Sequence, residues 1–421
     1  MSTTPTIEPG SYRHADHSRD FEPTRSYAEL RDRCPVHHEA DHDPPFFVLT
    51  RFADVVDALK HPEQWRNRDG PGVFYQEHGV LGTTDDPDHS RHRRVLRAAF
   101  LPAAIEQLGP RVRAIADGLI DEWIDAGEGD FVELFAAPFP ALVIAELLGV
   151  DAEERDAFGR WSTFSVAALT GGDLDAYAQA KTALEDYVEE GIRLRDAARR
   201  ADAPADDGPV AEDVAAAEDV VGTVIPDDVL SLLTVARRNG TISLEEARHL
   251  GYQLLVAGHE TTTSLLGMML YRLLERPALL AQLRADRSLL PPAIEEALRF
   301  DSPVHGLFRT NAEACSVHGT PIPERSKVQL LFASANRDPA QFPEPDEFRL
   351  DRERRELGRH VAFGWGIHHC IGAPLARLET RIAFDRIFDR LDGIELAGVA
   401  ERNDSFVLHG LTKLPIRWTP R

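Results

Sequence analysis

The sequence predicts a mainly α-helical fold with a minor β region. Over most of the chain, apolar residues recur with the 3.6-residue period of helices that bury one face. Only a few short runs have the character of β-strands, and they are widely separated. The chain has 421 residues, of which 43% are hydrophobic and 28% charged. This length and composition suit one large domain or two ordinary ones, and the length excludes a small scaffold held by disulfides.

The helical period is clearest in four segments: Pro102 to Ala126, Pro140 to Leu148, Leu174 to Ala198 and Ser243 to Leu274. Short β-like runs are found at Phe46 to Thr50, Val328 to Ala333 and Lys413 to Trp418. Between Asn336 and Arg359 lies a Pro- and charge-rich stretch without clear periodicity, which is expected to be functional or tightly packed. The apolar stretch Leu250 to Leu274 carries Glu260 at its centre, which favours a buried helix over a membrane span.

The charges are predominantly acidic, with 47 Lys and Arg against 70 Asp and Glu and a formal charge of −23. A field of this sign repels nucleic acid and anionic membranes, so neither is expected as a partner. Nine acids lie within Ala201 to Leu230, and no basic residue occurs between Arg200 and Arg237. This pattern predicts an acidic surface insertion at about residues 201–228.

The N-terminus and the cysteines indicate the compartment. Residues 1–20 mix Pro, Ser, Thr, His and Asp without an apolar core, which predicts a disordered N-terminus and no signal peptide. The three cysteines, Cys34, Cys315 and Cys370, are too few and too scattered for a disulfide framework. We therefore expect a reducing, cytoplasmic environment.

A glycine-rich segment with one cysteine, residues 363–374, is the most informative part of the sequence. Cys370 lies just before a predicted helix, where backbone N–H groups and the helix dipole stabilise a thiolate that can bind a metal or act as a nucleophile. Gly364, Gly366 and Gly372 permit sharp turns and a close approach of the backbone to something flat. The residue types therefore suit a thiolate site beside a planar group.

Other interpretations of this segment have to be weighed. The glycines do not form the dinucleotide pattern G-x-G-x-x-G, because the third is misplaced and no acidic ribose partner follows a strand. Zinc could use His368, His369 and Cys370, but adjacent ligands are poorly spaced for a tetrahedron. For a lone cysteine in a turn, a buried structural role is the favoured interpretation. Only the complete spacing argues against it.

The complete spacing, F-x-x-G-x-H-x-C-x-G, resembles the heme-binding loop of the cytochrome P450 superfamily of heme-thiolate monooxygenases. The resemblance implies a b-type heme whose iron takes Cys370 as its axial ligand. It also implies that Phe363 packs beside the sulfur and that His368 faces a heme propionate, with Gly364 and Gly372 in the same cofactor-binding set. A thiolate ligand donates electron density to iron and favours O–O cleavage.

Two distant segments supply candidate partners for the heme propionates, which need cationic or hydrogen-bonding groups when buried. His89 and Arg93 form an i,i+4 pair on one helical face, and both match the family's propionate-binding segment. Arg309 matches a third propionate contact. Without the resemblance, the segment around His89 is equally compatible with a solvated basic helix.

The segment Ala257 to Thr262 places a glycine and an acid–alcohol pair inside an apolar helix. Glycine in a helix costs about 1 kcal/mol relative to alanine, and a buried acid–alcohol pair needs partners. The segment is similar to the family's oxygen-activation motif, which implies that Glu260 and Thr261 are catalytic residues guiding protons to dioxygen. A core helix with a satisfied glutamate is the alternative. A zinc-protease pattern is excluded, because Thr263 occupies the place of the second histidine.

A third motif, Glu296-Ala297-Leu298-Arg299, means little by itself because exposed i,i+3 pairs are abundant and weak. In the resembling family this pair is buried and is joined by an arginine from the irregular segment ahead of the heme loop. Arg352 matches that arginine. The resemblance therefore implies that Glu296, Arg299 and Arg352 support the thiolate loop.

The matching features run in the family's order from about Pro87 to Trp418, and they imply the cytochrome P450 fold as a single domain over residues 21–421. The implied function is monooxygenation of a small, largely apolar organic molecule. Electrons are expected from a ferredoxin-type donor with its reductase. A peroxide-driven peroxygenase and a non-enzymatic heme sensor remain as alternatives, although neither explains the acid–alcohol pair.

The resemblance also implies a substrate pocket and a docking face. The pocket is expected at Phe74 to Leu81, Trp161 to Thr170, Leu255 and Val256, Val304 to Phe308 and Phe406 to Leu408, with Phe74, Val256, Ala257, His305, Leu307 and Phe406 as its candidate residues. His305 could bond a substrate carbonyl or hydroxyl, but an ordinary or propionate-linked histidine fits as well. Arg91, Arg94, Arg97 and Arg377 are expected to present a basic face to the electron donor.

Overall fold

The computed structural model describes residues 13–14, 21–22, 24–76, 79–150, 174–202 and 228–421. Helices predominate in this part of the chain. They are α1 (Thr24–Arg33), α2 (Phe52–Lys60), α3 (Asp88–Leu96), α4 (Pro102–Gln107), α5 (Gly109–Trp123), α6 (Pro138–Leu148), α7 (Leu174–Asp202), α8 (Val229–Arg238), α9 (Leu244–Leu274), α10 (Pro277–Ala285), α11 (Leu290–Phe300), α12 (Phe332–Ala335), α13 (Arg354–Leu357) and α14 (Ala373–Arg390). The mainly helical character predicted from the periodicity is confirmed.

The strands form small sheets at the periphery of the helices. They are β1 (Val36–Glu39), β2 (Phe46–Leu49), β3 (Trp65–Arg66), β4 (Glu128–Asp130), β5 (Leu307–Asn311), β6 (Cys315–Val317), β7 (Thr320–Ile322), β8 (Lys327–Leu330), β9 (Leu391–Leu396), β10 (Glu401–Arg402), β11 (Leu411–Lys413) and β12 (Pro415–Pro420). The main sheet has the order β1-β2-β8-β5-β3, with β2 and β8 parallel and the other neighbours antiparallel. A second sheet has the order β4-β12-β9, and β6–β7 and β10–β11 form hairpins.

Helix α9 runs through the middle of the helical layer, where it packs against α6, α7, α8, α11 and α14. It begins with a capping box, in which Ser243 Oγ accepts from the Glu246 N–H at 3.1 Å and the Glu246 carboxylate accepts from the Ser243 N–H at 2.7 Å. Such a cap stabilises a helix by about 1 kcal/mol. From Leu254 to its end the helix is buried except at residues 256–258, 260, 261 and 271. The exposed positions in its middle therefore coincide with the acid–alcohol motif.

Two predicted elements differ from the structure. The helix expected from Pro102 to Ala126 is divided at Leu108 into α4 and α5, because Pro110 has no N–H to continue the first helix. The strand expected over Val328 to Ala333 ends at Leu330. The chain then enters α12, since the Ala333 N–H donates to the His305 carbonyl at 3.0 Å instead of to a strand.

The remaining predicted elements agree with the structure in outline. The long irregular stretch 336–359 contains only the short helix α13, and the C-terminal β-run corresponds to β11 and β12. The predicted disordered N-terminus and acidic insertion lie outside the described residues, apart from residues 13–14, 201–202 and 228. Of these, His14 is buried, and Asp228 caps α8 by accepting from the Ser231 N–H. In the described ranges, no helix combines the length and apolar character needed to cross a membrane.

Candidate functional site

The cysteine loop, Phe363 to Gly372, is a compact turn that leads into α14. The Cys370 N–H donates to the Phe363 carbonyl at 2.9 Å, which closes the loop on itself. Gly372 caps α14, and the N–H groups of Gly372 and Ala373 point at the Cys370 sulfur. The loop therefore presents one thiol at the positive end of an eighteen-residue helix, as the sequence predicts.

The electrostatics of Cys370 combine two opposed effects. Burial raises the pKa of the thiol, whereas the N–H groups of Gly372 and Ala373 and the charges of Arg93 and Arg377 lower it; burial outweighs them. The residue is nevertheless exposed by its accessible surface. A metal ion bound at this accessible sulfur would favour the thiolate outright.

The loop glycines do not all have the same reason to be glycine. Gly364 and Gly366 have φ of +68° and +70°, in the left-handed region that L-residues avoid. A Cβ at Gly366 would also lie 2.7 Å from the Leu59 carbonyl oxygen. Gly372, by contrast, has φ of −79°, which any residue adopts, and its Cβ would make an ordinary 3.7 Å contact with the Cys370 sulfur. The expectation of a conformational need therefore holds for Gly364 and Gly366 and not for Gly372.

The predicted propionate residues converge beside this loop from three separate segments. The rings of His89 and His368 lie 4.0 Å apart between centroids. Arg93, one turn after His89 in α3, donates from Nη1 to the His369 carbonyl at 2.8 Å. Burial and the nearby charges of His89, Arg309 and Arg93 lower the pKa of His368 to about 3, so Arg309 also lies close to this group. The structure thus brings together His89, Arg93, Arg309 and His368.

These residues fit an anionic cofactor, because their own hydrogen bonds are incomplete. Within the described ranges, neither ring nitrogen of His368 has a hydrogen-bond partner, although both are buried. Arg309 is buried and donates from Nη1 to the Phe308 carbonyl, and no described carboxylate forms an ion pair with it. Burial lowers its pKa to about 10. An isolated buried guanidinium is costly, and a bound dianion would compensate it.

The acid–alcohol pair of α9 lies where the helix is accessible. Ala257 is exposed, and Glu260 and Thr261 are half-buried, in a helix whose following residues are buried. Burial raises the pKa of Glu260 to about 7. Thr261 donates from Oγ1 to the Ala257 carbonyl at 2.8 Å, a bond of the kind that opens helices slightly. The neighbouring His259 is buried against the Ala137 carbonyl at 3.0 Å, on the core side of the helix.

The predicted glutamate–arginine triad is assembled in the interior. Arg299 donates to both Glu296 oxygens at 2.8 Å, and Arg352 Nε donates to Glu296 Oε1 at 3.0 Å. The remaining N–H groups of Arg299 and Arg352 donate to backbone carbonyls, namely those of Asn336, Pro343, Glu344, Pro345 and Glu347, and Arg352 Nη1 also pairs with the Glu356 carboxylate. The triad therefore fastens the irregular segment ahead of the cysteine loop to α11.

A second ion cluster beside the triad was not predicted. Glu295 accepts from Arg377 at 2.6 and 2.9 Å and from His360 at 3.0 Å. Burial alone would raise the pKa of Glu295, but these partners lower the pKa to about 2. Arg377 also lies over the Phe363 ring, 4.6 Å from its centroid. The cluster joins α11 and α14 across the cysteine loop, and its only sequence signal was the adjacency of Glu295 to Glu296.

The predicted docking arginines differ in their availability. Arg94 and Arg97 are exposed. Arg91 is bound to Glu246 at 2.6 Å and to Asp88 at 2.7 Å, and Arg377 is bound to Glu295. Half of the expected basic face therefore consists of guanidinium groups already neutralised by carboxylates.

The predicted pocket residues are distributed unevenly. Val256, Leu307 and Phe406 are half-buried, and Ala257 is exposed, whereas Phe74 is 64% exposed. The segment from Trp161 to Thr170 lies outside the described residues. His305 is buried, and its Nδ1 lies 3.1 Å from the Tyr27 hydroxyl, so this ring nitrogen is engaged within the protein.

The lining of a cleft of about 900 Å³ does not include the residues of the cysteine loop. The cleft is lined by Glu22, Arg25, Arg272, Glu275, Arg276, Phe300, Arg337 and Asp346. Its charges largely balance, since Arg272 pairs with Glu22 and Glu275, and Arg337 with Asp346. The chemistry of the chain therefore belongs to the loop and to α9 rather than to this cleft.

Fold and site together define a mainly helical protein in which a cysteine at a helix N-terminus lies beside a group of buried cationic and imidazole side chains that could hold an anionic cofactor. The family model described as cytochrome P450 matches residues 161–403, more than half of the chain. The monooxygenase PikC of Streptomyces venezuelae is 36% identical over 95% of this chain and 92% of its own length. The vitamin D(3) 25-hydroxylase of Pseudonocardia autotrophica is 36% identical over 95% of this chain and 94% of its own.

A solved structure gives the same result for the fold. The cytochrome P450 PksS of the bacillaene polyketide synthase of Bacillus subtilis 168 superposes with a TM-score of 0.83 and 29% identity, over 97% of this chain and 100% of that one. The chain belongs to the cytochrome P450 family. It is a heme-thiolate monooxygenase, an oxidoreductase that inserts one atom of dioxygen into an organic substrate.

Proposed function

We propose that the chain binds one b-type heme through the Cys370 thiolate and oxygenates a small, largely apolar organic molecule. The observation that carries this assignment is the convergence of Arg309 and His368 on the cysteine loop, since neither has a described carboxylate partner. His89, Arg93, Arg309 and His368 would hold the propionates. When bound, the heme supplies dioxygen activation, which a thiolate ligand favours by donating electron density.

Residues of the cysteine loop would shape the part of the site that surrounds the Cys370 sulfur. The Phe363 ring, held under Arg377, and the left-handed turns at Gly364 and Gly366 fix the path of the loop, so that the sulfur faces one direction. Glu296, Arg299 and Arg352 would act at a distance by holding the preceding segment in place. Their role is structural support rather than contact with the cofactor.

Glu260 and Thr261 of α9 would hold and transfer protons during the reaction. With a pKa of about 7, the Glu260 carboxyl can both hold and release a proton near neutral pH. Thr261 Oγ1 already donates to the Ala257 carbonyl, so its lone pairs would remain available to accept a further hydrogen bond at this accessible part of the helix. The pair thus provides an acid and an adjacent alcohol at the accessible part of α9.

We expect Thr261→Ala to uncouple electron use from product formation. Positioned proton transfer contributes about 10²–10⁴-fold to a reaction, and water replaces the hydroxyl in part, so product per electron pair should fall by about an order of magnitude. The measurement compares cofactor oxidation, peroxide release and product, with a substrate found by its Soret shift. Thr263→Val is the control, because Thr263 makes the same kind of helix bond, to the His259 carbonyl, but is buried. Full coupling in Thr261→Ala would favour the peroxide-driven alternative.

We infer that electrons come from a ferredoxin-type protein that docks beside the cysteine loop. Arg94 and Arg97 are exposed on and just after α3, the helix that contacts the loop through Arg93. The apolar side chains of Leu101, four residues after Arg97, and of Ile367 in the cysteine loop are 41% and 39% exposed. Exposed arginines around a small apolar centre suit an acidic partner.

The double variant Arg94→Glu/Arg97→Glu should slow reduction by a [2Fe–2S] ferredoxin about tenfold at low ionic strength. The difference should shrink as salt is added, because steering between exposed charges is screened. The measurement is the stopped-flow rate of reduction under carbon monoxide. Arg33→Glu/Arg193→Glu makes the same charge change at exposed arginines of α1 and α7 and should reduce normally. Equal slowing in both double variants would refute the docking site.

The substrate class and the compartment follow from more general features. Half-buried apolar residues on α9, in β5 and near β11, namely Val256, Leu307 and Phe406, suit an apolar molecule. The named activity of the vitamin D(3) 25-hydroxylase is on such a molecule. All three cysteines are unpaired, which fits a reducing, cytoplasmic location.

A further inference from the structure

Two buried histidines lie between the segments expected to face substrate. His305 and His409 are each 2% exposed, and their rings stack with centroids 4.4 Å apart and an interplanar angle of 21°. Burying an imidazole costs free energy unless its nitrogens are hydrogen-bonded, whereas phenylalanine or leucine would fill such space without that cost. The pair therefore needs a reason other than packing.

Each ring is held by a fixed polar partner. His409 Nε2 lies 3.5 Å from the Asp301 carboxylate, which in turn accepts from Arg272 at 2.6 and 3.0 Å. Burial lowers the pKa of His409 to about 4, so the ring is neutral and carries its proton on Nε2, facing the ionised Asp301. On the other side, His305 Nδ1 lies 3.1 Å from the Tyr27 hydroxyl.

The two histidines also connect the backbones of their segments. The His305 N–H donates to the Val407 carbonyl at 2.7 Å, and the His409 N–H donates to the Pro303 carbonyl at 2.8 Å. An isolated antiparallel bridge joins the residues between them. Residues 303–305 and 407–409 thus run antiparallel, with both imidazoles on one side. We name the set His305, His409, Asp301 and Tyr27 the histidine clamp.

The clamp holds a part of the chain that has little regular structure of its own. Residues 403–410, which include Phe406, connect β10 to β11 without strand pairing apart from the single bridge. Residues 304–306 likewise precede β5, which begins at Leu307. Gly410 packs so tightly on Ser264 of α9 that a Cβ would collide with that side chain. The clamped turn therefore lies against the helix that carries Glu260 and Thr261.

We propose that the histidine clamp is a positioning device that fixes the wall formed by residues 304–308 and 405–408, and thereby determines which apolar substrates fit beside the oxygen-activating helix. The proposal rests on the proposed function, because it takes this wall to face the substrate. Apolar contacts alone tolerate sliding, whereas the hydrogen bond between His305 and Tyr27 and the close contact of His409 with the Asp301 carboxylate favour one arrangement. His305 and His409 are thus positioning residues, and His305 acts on the wall rather than on the substrate.

The test uses the holoenzyme and two heme ligands of different size. Imidazole reports access to the iron, and 4-phenylimidazole also needs space at the wall; both are followed by the Soret shift. We expect His409→Phe, which keeps an aromatic ring but loses the contact with Asp301, to weaken the binding of 4-phenylimidazole about tenfold, or about 1.4 kcal/mol. The binding of imidazole should stay unchanged. His409→Gln places an amide N–H where Nε2 stood and should restore part of the affinity. Hydrogen exchange of the 303–305 and 407–409 amides should quicken in His409→Phe.

Two further variants keep the test decisive. Tyr27→Phe removes only the hydroxyl facing His305 and should shift the ligand ratio in the same direction, even if His409→Phe folds poorly. His318→Phe is the matched control. It removes an imidazole from the exposed turn of the β6–β7 hairpin, where His318 pairs with Asp54 of α2. The proposal would be overturned if both clamp variants kept the wild-type ratio of 4-phenylimidazole to imidazole affinity and the wild-type rate of amide hydrogen exchange. Failure of the proposed function would instead leave the wild type without a Soret shift, while the exchange measurement would still report on the clamp.

Discussion

The variant Cys370→Ser should lose the red-shifted Soret band that the reduced wild-type protein forms with carbon monoxide. A serine hydroxyl at the start of α14 is not ionised near neutral pH, so the strongly donating ligand is replaced by a weak one or by water. We expect complete loss of the thiolate spectrum and loss of monooxygenation to background. The measurement is the difference spectrum of the dithionite-reduced protein with and without carbon monoxide, together with heme content.

The two other cysteines provide matched controls for that experiment. Cys34 is half-buried and donates from Sγ to the Val36 carbonyl at 3.5 Å, and Cys315 lies at the start of β6. Neither is in the cysteine loop, so Cys34→Ser and Cys315→Ser should keep the wild-type spectrum. A thiolate band that survived in Cys370→Ser, or one lost in either control, would contradict the assignment of the ligand.

The variant Glu296→Ala should be strongly destabilised, by about 3–5 kcal/mol, because it leaves the buried guanidinium group of Arg299 without a carboxylate partner and removes one of the two carboxylates that contact Arg352. Both arginines also hold backbone carbonyls of the segment that leads to the cysteine loop. Unfolding and heme loss should therefore shift together to lower urea concentration. The measurement follows helical content and the thiolate spectrum across one urea titration.

A neighbouring arginine separates the buried cluster from surface ion pairs. The Arg349 side chain pairs with Glu344 and Asp351 at the surface, although its backbone N–H donates to Glu296 at 2.9 Å. Arg349→Ala keeps that backbone bond and should unfold at nearly the wild-type urea concentration. If Glu296→Ala cannot be produced, Glu296→Gln keeps the shape and one acceptor, and an intermediate shift is expected. Equal midpoints for Glu296 and Arg349 variants would show that the cluster does not support the loop.

The features that could be predicted from the sequence are those formed by neighbouring residues. The cysteine loop spans ten residues, and its glycines, histidine and cysteine have meaning through their spacing alone. The acid–alcohol pair could likewise be located in α9, since one long apolar period surrounds it. The boundaries of elements were less certain, as the break at Leu108 and the end of β8 at Leu330 show. At both places a single backbone group accompanies the end of the element. After Leu108 it is Pro110, which has no N–H, and after β8 it is the Ala333 amide, which donates to the His305 carbonyl.

Long-range partnerships could not be derived in the same way. The side chains of Arg377 and Arg91 had the charge expected of a docking face, but Glu295 and Glu246 neutralise them in the fold. His305 had the chemistry to bind substrate, yet its ring faces Tyr27, 278 residues away in the chain. No local pattern encodes these pairings, because they depend on which helices and turns pack side by side.

The sequence by itself determined the class of fold, the ligand-bearing loop and the residue types for propionates and protons. The class of fold follows from periodicity, whereas the roles of the loop and of the propionate and proton residues are what the fixed spacing implies through its resemblance to the cytochrome P450 family. Only the tertiary structure decided that Arg352 meets Glu296 across 56 residues, that Arg309 and His368 share one place, and that His305 and His409 clamp a wall. The reason is that burial, charge compensation and hydrogen-bond direction are set by the packing of distant segments, and a buried charge or imidazole acquires its role only from what is packed against it.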